Sequence, residues 1–506
     1  MIYRVFILLC FIVLATSNCA KRGRPTGGPK DSIAPVIVTA RPPFETINFN
    51  EDEIRIYFDE YIKLNDLNKQ LVISPPMKYP PIITPLGTPS KYIKIKLLDT
   101  LKENTTYTFN FGQSVIDNTE GNVLRNFKYI FSTGEYIDSL KVSGSIKDGL
   151  KDIADSDVSI LLYEFNEAYT DSLIYKEKPL YVGNTLDTTI WEISNIKAGN
   201  YKLIALKDAS KDYLFTTKQD KIAFLEKEIR IPEDSTGHEL ILFKEVLPYK
   251  INRPREQTMN RLLLGYEGVA DSIQIENLVE KAPSVIIFEK DKDSLDYWYK
   301  DASADSLVLK VTNRNHIDTL TIQRRTKELD SLQITNASGV ILPLGDEFKI
   351  QSNIPIEKID TSKVVFTDKD TVQVNYKVKF KKLSNEFVID FIKKPENNYR
   401  FQIMPEGIKD FLGNVNDTLS FNFRTNKPSD YGNLYLTLQN VNRFPVIVQL
   451  LKADRNEIVD EIYAEIDQEF VFKNLIPAKY KVRLIYDDNQ NRQWDSGNFL
   501  LKIQPE

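Results

Sequence analysis

Beyond Asp31 the chain alternates apolar and polar positions in short runs: EIRIYF, YIKIKL, TYTFNF, FKYIFST, DVSILLYE, NYKLIAL, SVIIFE, DSLVLKV, DTLTIQ, NEFVIDF, YRFQIM, LSFNFRT, NLYLTL, VIVQLL and YKVRLIY. Each run is rich in Ile, Val, Tyr and Phe and is bounded by Asn, Asp, Gly or Pro. Period-two alternation puts every second side chain on one face, the mark of a half-buried strand. Helical spacing is nearly absent and shows only weakly over Tyr61 to Gln70 (YIKLNDLNKQ). The pattern predicts an all-β chain.

One apolar run departs from the alternation. Val5 to Ala15 (VFILLCFIVLA) is unbroken, follows the single basic residue of Met1 to Arg4, and gives way to small and polar residues. That order of regions is a secretory signal, and the run is too short for a membrane span, which takes about 20 residues. Both cysteines lie here, Cys10 inside the segment to be removed and Cys19 at its end. A cysteine directly after such a segment resembles the lipobox of bacterial lipoproteins. The resemblance implies a signal peptide over residues 1–18 and an acylated Cys19 as the mature N-terminus. Thr16, Ser17 and Asn18 depart from the commonest pattern, which has a Leu three residues before the cysteine and a Gly or Ala just before it. With Cys10 removed and Cys19 acylated, no disulfide is available, so the apolar core alone must hold the exported chain together. Residues 19–33, Gly- and Pro-rich at GRPTGGPKD, read as a flexible tether. Lys21, Arg22 and Arg24 either lie against anionic head groups or form a plain solvated linker.

Composition permits several cores: 42% of residues are apolar and 11% aromatic, over a length that suggests about three to five domains. The formal charge of −5 is spread over 66 basic and 71 acidic residues with no long run of one sign, which leaves no electrostatic footprint for nucleic acid.

Two internal repeats organise the chain. ENTTYTFNFGQSVIDNTEGNVLRNFKYIFST (103–133) recurs as ENNYRFQIMPEGIKDFLGNVNDTLSFNFRT (396–425). Both carry an Asn turn, a strand with Tyr, an Asp, and a Gly-Asn turn where Gly121 and Gly413 can take positive φ. WEISNIKAGNYKLIALKDASKDYLF (191–215) recurs as FVFKNLIPAKYKVRLIYDDNQNRQW (470–494). The first repeat, with APVIVTARPP and IRIYFDEYIKL, resembles the bacterial Ig-like domains of the SbsA type common in Bacteroidota lipoproteins. The second resembles the transthyretin-like, or carboxypeptidase-regulatory-like, fold. The resemblance implies tandem β-sandwiches in an elongated array: an Ig-like domain (34–134), a transthyretin-like sandwich (138–248), a diverged Ig-like domain (341–427) and a second transthyretin-like sandwich (430–506); the stretch between them, outside the resemblance, reads as a central β domain (255–338). Relatives of this kind run on through another strand or two, so the last domain is expected to lack its closing edge.

Candidate chemistry is sparse. The two histidines, His238 and His316, stand in turns leading into strands and read as exposed structural residues. No G-x-S-x-G elbow, Walker loop or H-E-x-x-H occurs. Asp487, Asn489, Asn491 and Asp495, in DDNQNRQWDSGN, offer oxygen ligands at a spacing reminiscent of a calcium loop, without the central Gly or closing Glu of an EF-hand. The favoured alternative is an Asx-rich hairpin loop with Trp494 packed on its sandwich. Asp followed by Ser or Thr and an aliphatic residue recurs along the chain, where chance gives about two cases. It resembles the Bacteroidota O-glycosylation sequon and marks Thr100, Ser139, Ser172, Ser272, Ser294, Ser306, Thr319, Ser331, Thr371 and Thr418; an Asx turn gives the same letters. Trp191 and Trp298, in strand-like runs, read as core rather than stacking platforms.

The expectation is a lipid-anchored outer-membrane protein without catalysis, acting by structure or by binding an envelope protein, with glycan binding as the alternative. The resemblance to this phylum's lipoproteins implies a rod facing the periplasm, because Ala20 to Arg24 carry none of the acidic residues that follow the cysteine in surface-exported members.

Overall fold

The computed structural model describes residues 30–300, 304–325 and 330–506; the signal segment, Cys10 and Cys19 lie outside them. Among the described residues the only α-helix is the single turn Leu67–Gln70, and the rest of the regular structure is strand with four short 3₁₀ turns. The chain is all-β. The weak helical spacing over Tyr61 to Gln70 belongs to the end of strand Glu53–Leu64 and to that one turn.

Sheets pack in pairs around separate apolar clusters, as alternating strands require when one face must be buried. In the first sandwich, Ile37–Arg41, Glu53–Leu64, Ser90–Lys96 and Ile82–Thr84 lie in that order, facing the sheet Val72–Ser74, Thr106–Asn110, Lys128–Ser132. Ile54, Ile56, Ile93 and Ile95 from one sheet meet Phe109, Tyr129 and Phe131 from the other. In the second, Tyr181–Asn184, Ser159–Glu164, Gly199–Lys207 and Lys221–Phe224 face Ile190–Ile196, Leu140–Asp148 and His238–Leu242. These two sandwiches make one compact unit, the described residues up to Thr216 with Ile222–Leu242.

The other unit, Thr217–Lys221 with Phe243–Glu506, holds three more sandwiches. In the central one, Lys250–Ile251, Arg261–Glu267, Ser294–Tyr299 and Ser284–Phe288 face Gln274–Asn277, Ser306–Asn313 and His316–Gln323. Next, Ile334–Asn336, Phe348–Ser352, Glu386–Phe391 and Tyr376–Lys381 face Val364–Thr367, Asn398–Ile403 and Leu419–Arg424. In the last, Ile458–Ala464, Val446–Lys452 and Tyr480–Tyr486 face Gly432–Leu436 and Phe470–Leu475. Two edges differ from expectation: Lys250–Ile251 pairs into the central sheet before residue 255, and Ile334–Asn336 pairs with Phe348–Ser352 rather than within the central domain. Both strands are too short for alternation to declare their partner.

The repeats hold at atomic detail. In the first sandwich the Tyr107 hydroxyl accepts the Lys102 N–H at 2.8 Å, and Thr133 Oγ1 donates to the Lys102 carbonyl at 2.7 Å. Tyr399 and Thr425 do the same with Lys394, at 2.7 and 2.6 Å. Asp117 Oδ1 accepts the N–H groups of Thr119, Glu120 and Gly121, and Oδ2 that of Asn122. Its counterpart Asp410 accepts those of Leu412 and Asn414. Gly121 and Gly413 sit at φ of 80° and 96°, where a side chain is strained.

Burial works against the charge of Asp117, yet its four backbone donors outweigh burial and hold the carboxyl below the usual range. A depressed folded pKa contributes stability that is complete above the unfolded value of about 3.9 and is lost as pH falls through the folded value. Asp117→Asn is therefore expected to lose about 2 kcal/mol in urea unfolding at neutral pH. The gap to wild type should close as pH falls below about 4. A gap that stays constant with pH would show that the carboxylate charge is not what stabilises the turn.

Candidate functional site

A cleft of about 850 Å³ in the second unit lies between the central sandwich and the sandwich that follows it. Its central wall is the outer face of two paired strands. Leu295, Tyr297 and Tyr299 point into the central core, so Asp296 and Trp298 point the other way. Register sets Arg261 directly opposite Trp298 and Leu263 opposite Asp296, which leaves Arg261 diagonal to the carboxylate. Arg261 Nη2 donates to Asp296 Oδ2 at 2.7 Å, and the guanidinium lies 5.4 Å from the Trp298 ring centroid. The second wall comes from Phe348–Ser352, whose Phe348 and Ile350 enter their own core while Lys349 and Gln351 face outward, and from the 3₁₀ turn Lys382–Ser384.

The two walls are held by an apolar joint. Trp298, only 1% exposed, packs with Ile354 and Phe411, and Lys300 Nζ lies 4.7 Å from the Phe411 ring. Trp298 is thus buried, as its strand-like surroundings suggested, but in a joint between sandwiches rather than within one.

Asp296 is 6% exposed and its Oδ1 meets no donor, while Arg261 Nε likewise meets no acceptor. Burial pushes the Asp296 carboxyl above the usual range, against the pull of Arg261. At the rim, the Ser294 hydroxyl and Lys292 hold Glu289 below its usual range. Six cations line the cleft against three carboxylates, Glu289, Asp296 and Glu386. The first unit has a cleft of about 560 Å³ with an apolar wall that includes Pro80, Pro81, Ile82 and Leu86. There Asp157 pairs with Lys211 at 2.9 Å and takes a hydrogen bond from Asn184.

The residues singled out in the sequence fall elsewhere. Asp487 is 0% exposed and accepts the N–H groups of Asn491 and Arg492, while the Asn489 and Asn491 amides both donate to Asp495 Oδ2. The loop is thus brought together by its own hydrogen bonds, and Trp494 Nε1 donates to the Glu506 carbonyl at 3.0 Å. Among the described residues no group of three or more His, Cys, Asp or Glu is placed to hold a metal. Of the ten hydroxyls marked for glycosylation, Thr100, Ser139, Ser172, Ser272, Thr319, Ser331, Thr371 and Thr418 are exposed and Ser306 is half-buried. Ser294 is the exception: it is buried, and its hydroxyl donates to Glu289 at 2.5 Å, which removes it from the accessible set. His316 is exposed, but His238 is half-buried, with Nε2 2.7 Å from the Asp234 carbonyl and its ring stacked on buried Trp191.

Residues 31–133 match the family described as bacterial Ig-like domain. No curated protein matches the chain. Solved structures similar to it include the S-layer protein rSbsC(31-844), 11% identical, with 91% of this chain and 68% of that one covered at a TM-score of 0.16. The Bacteroides ovatus mixed-linkage glucan utilization locus SGBP-B, solved with a mixed-linkage heptasaccharide, is 12% identical, with 65% and 87% covered at a TM-score of 0.17. At such scores a likeness carries nothing about function.

The buried pair can be tested directly. Arg261→Ala leaves a buried carboxylate without its partner and is expected to cost about 3 kcal/mol of unfolding free energy, whereas Arg261→Met with Asp296→Leu should recover most of that loss. If the double variant is no more stable than Arg261→Ala, the carboxylate is not the source of the cost.

Proposed function

We propose that the protein is a non-catalytic, lipid-anchored lipoprotein of a Bacteroidota-like outer membrane whose tandem sandwiches hold a binding surface away from the bilayer. Acylated Cys19 is the anchor and residues 19–33 the tether. Residues 138–248 and 430–506 act as transthyretin-like spacers beside the Ig-like sandwiches. Several acyl chains together anchor a protein stably where one alone does so only marginally. The observation that carries the binding part of this reading is the cation-lined cleft at the joint of two sandwiches, whose lining includes the Arg261–Asp296 pair with an unsatisfied buried atom on each member. Clefts between rigid modules are where ligands settle most often. The absence of acidic residues from Ala20 to Arg24 supports a periplasmic orientation.

Metabolic labelling with a clickable fatty acid is expected to mark the wild type and to leave Cys19→Ser unmarked. Trypsin added to intact cells should spare the tether at Lys21, Arg22 and Arg24 and cut it after permeabilisation. Equal label on both chains would end the lipoprotein reading, and release of the protein from intact cells would place it on the surface.

A further inference from the structure

We propose that the cleft of the second unit binds an anionic polyhydroxylated ligand, a short stretch of acidic polysaccharide, with its carboxylates on the rim lysines and a hydroxyl at the Arg261–Asp296 pair. This deepens the binding reading above and rests on it.

Charge gives the first half of the argument. Lys290 stands on the hairpin between Ser284–Phe288 and Ser294–Tyr299, and Lys382 opens the 3₁₀ turn of the opposite wall; neither has an ion-pair partner among the described residues. Lys349 and Lys381 share a single carboxylate, Glu347, at 3.6 and 3.3 Å. Positive charge therefore remains unmatched on both walls, and the field in a cleft with low-dielectric walls concentrates anions there. Ammonium groups on flexible stems suit carboxylates spaced along a chain better than one fixed bidentate site.

The floor gives the second half. Asp296 Oδ1 is an acceptor without a donor and Arg261 Nε a donor without an acceptor, while Arg261 Nη1 also lies 3.9 Å from the Asp330 carboxylate. A hydroxyl donates and accepts at once, so a sugar hydroxyl that reaches the partly exposed Arg261 side chain offers this pair the kind of partner it lacks. Arg261, with its side chain 25% exposed, is the member of the pair the ligand meets first. A volume of about 850 Å³ falls within the range of small-ligand clefts, roughly 300 to 1,000 Å³, and so fits a few sugar rings rather than a folded partner. Single-stranded nucleic acid is disfavoured because its bases need exposed aromatic platforms, and here Trp298 is buried and Phe288 half-buried.

The test is calorimetry on the full chain in mild detergent, titrated with polygalacturonate, with a neutral β-glucan and with poly-L-glutamate. Saturable binding of polygalacturonate alone is expected, weakened at least about tenfold when salt is raised from about 0.05 to about 0.5 M. Lys290→Glu with Lys382→Glu, both at exposed positions, should weaken it by about tenfold or more. Arg261→Lys should weaken binding and leave the salt dependence in place. Preference for poly-L-glutamate, or binding of the neutral glucan, would overturn the ligand class while sparing the cleft as a binding site, provided the lysine variants lower that binding. Polygalacturonate binding that ignores all three substitutions, or no binding of any probe, would overturn the proposal and remove the cleft from the functional reading.

Discussion

A buried aspartate that collects backbone N–H groups is the interaction on which four of the five sandwiches are built. Where a strand leaves its ladder, the N–H groups of the following turn need acceptors, and an end loop packed on a core has no water to supply them. Asp117, Asp208, Asp410 and Asp487, between 0% and 6% exposed, meet that need. Asp208 takes the N–H groups of Ser210, Lys211 and Tyr213; Asp487 takes those of Asn491 and Arg492. The two loops bend alike, with left-handed residues three and five positions after the aspartate: Lys211 and Tyr213 in one, Gln490 and Arg492 in the other. A carboxylate with two or more charge-assisted hydrogen bonds tolerates burial that an unpaired one does not.

That constraint also explains which features were legible in the sequence. Strands such as Glu53–Leu64 announced themselves by alternation, because one face meets a core and the other water. The Asp-Gly-Asn logic of the first repeat was visible because the turn needs both the acceptor and a glycine at positive φ. At Asp487 the same chemistry allows two readings of closely spaced oxygens, a cation loop or the favoured Asx-rich hairpin, and the Asp487 carboxylate accepts N–H donors of its own loop. Short edges such as Lys250–Ile251 carried too few residues to declare a partner.

The cleft at Arg261, Asp296 and Trp298 escaped sequence reading for a different reason. In SLDYWY every residue is buried, the inward ones in the central core, Trp298 against another sandwich, and Ser294 and Asp296 in contacts with Glu289 and Arg261. Alternation marks a strand with one wet face, and a strand covered on both sides loses that mark. The available signal was a lone carboxylate and a tryptophan on the face that should have been solvated, with an arginine opposite in RLLLGYE. Each module buries its own core, and where the central sandwich meets the next one polar groups from both walls line a shared volume.

The account turns on the aspartate-centred turns, and hydrogen exchange reads them one amide at a time. In the folded chain the N–H groups of Thr119, Glu120, Asn122, Leu412, Asn414, Lys211, Tyr213 and Arg492 are each bonded to a buried carboxylate. They are expected to exchange at least about a hundredfold more slowly than unstructured peptide, although all lie in loops. Exchange of these amides at peptide rates, with the neighbouring strands still protected, would contradict the account.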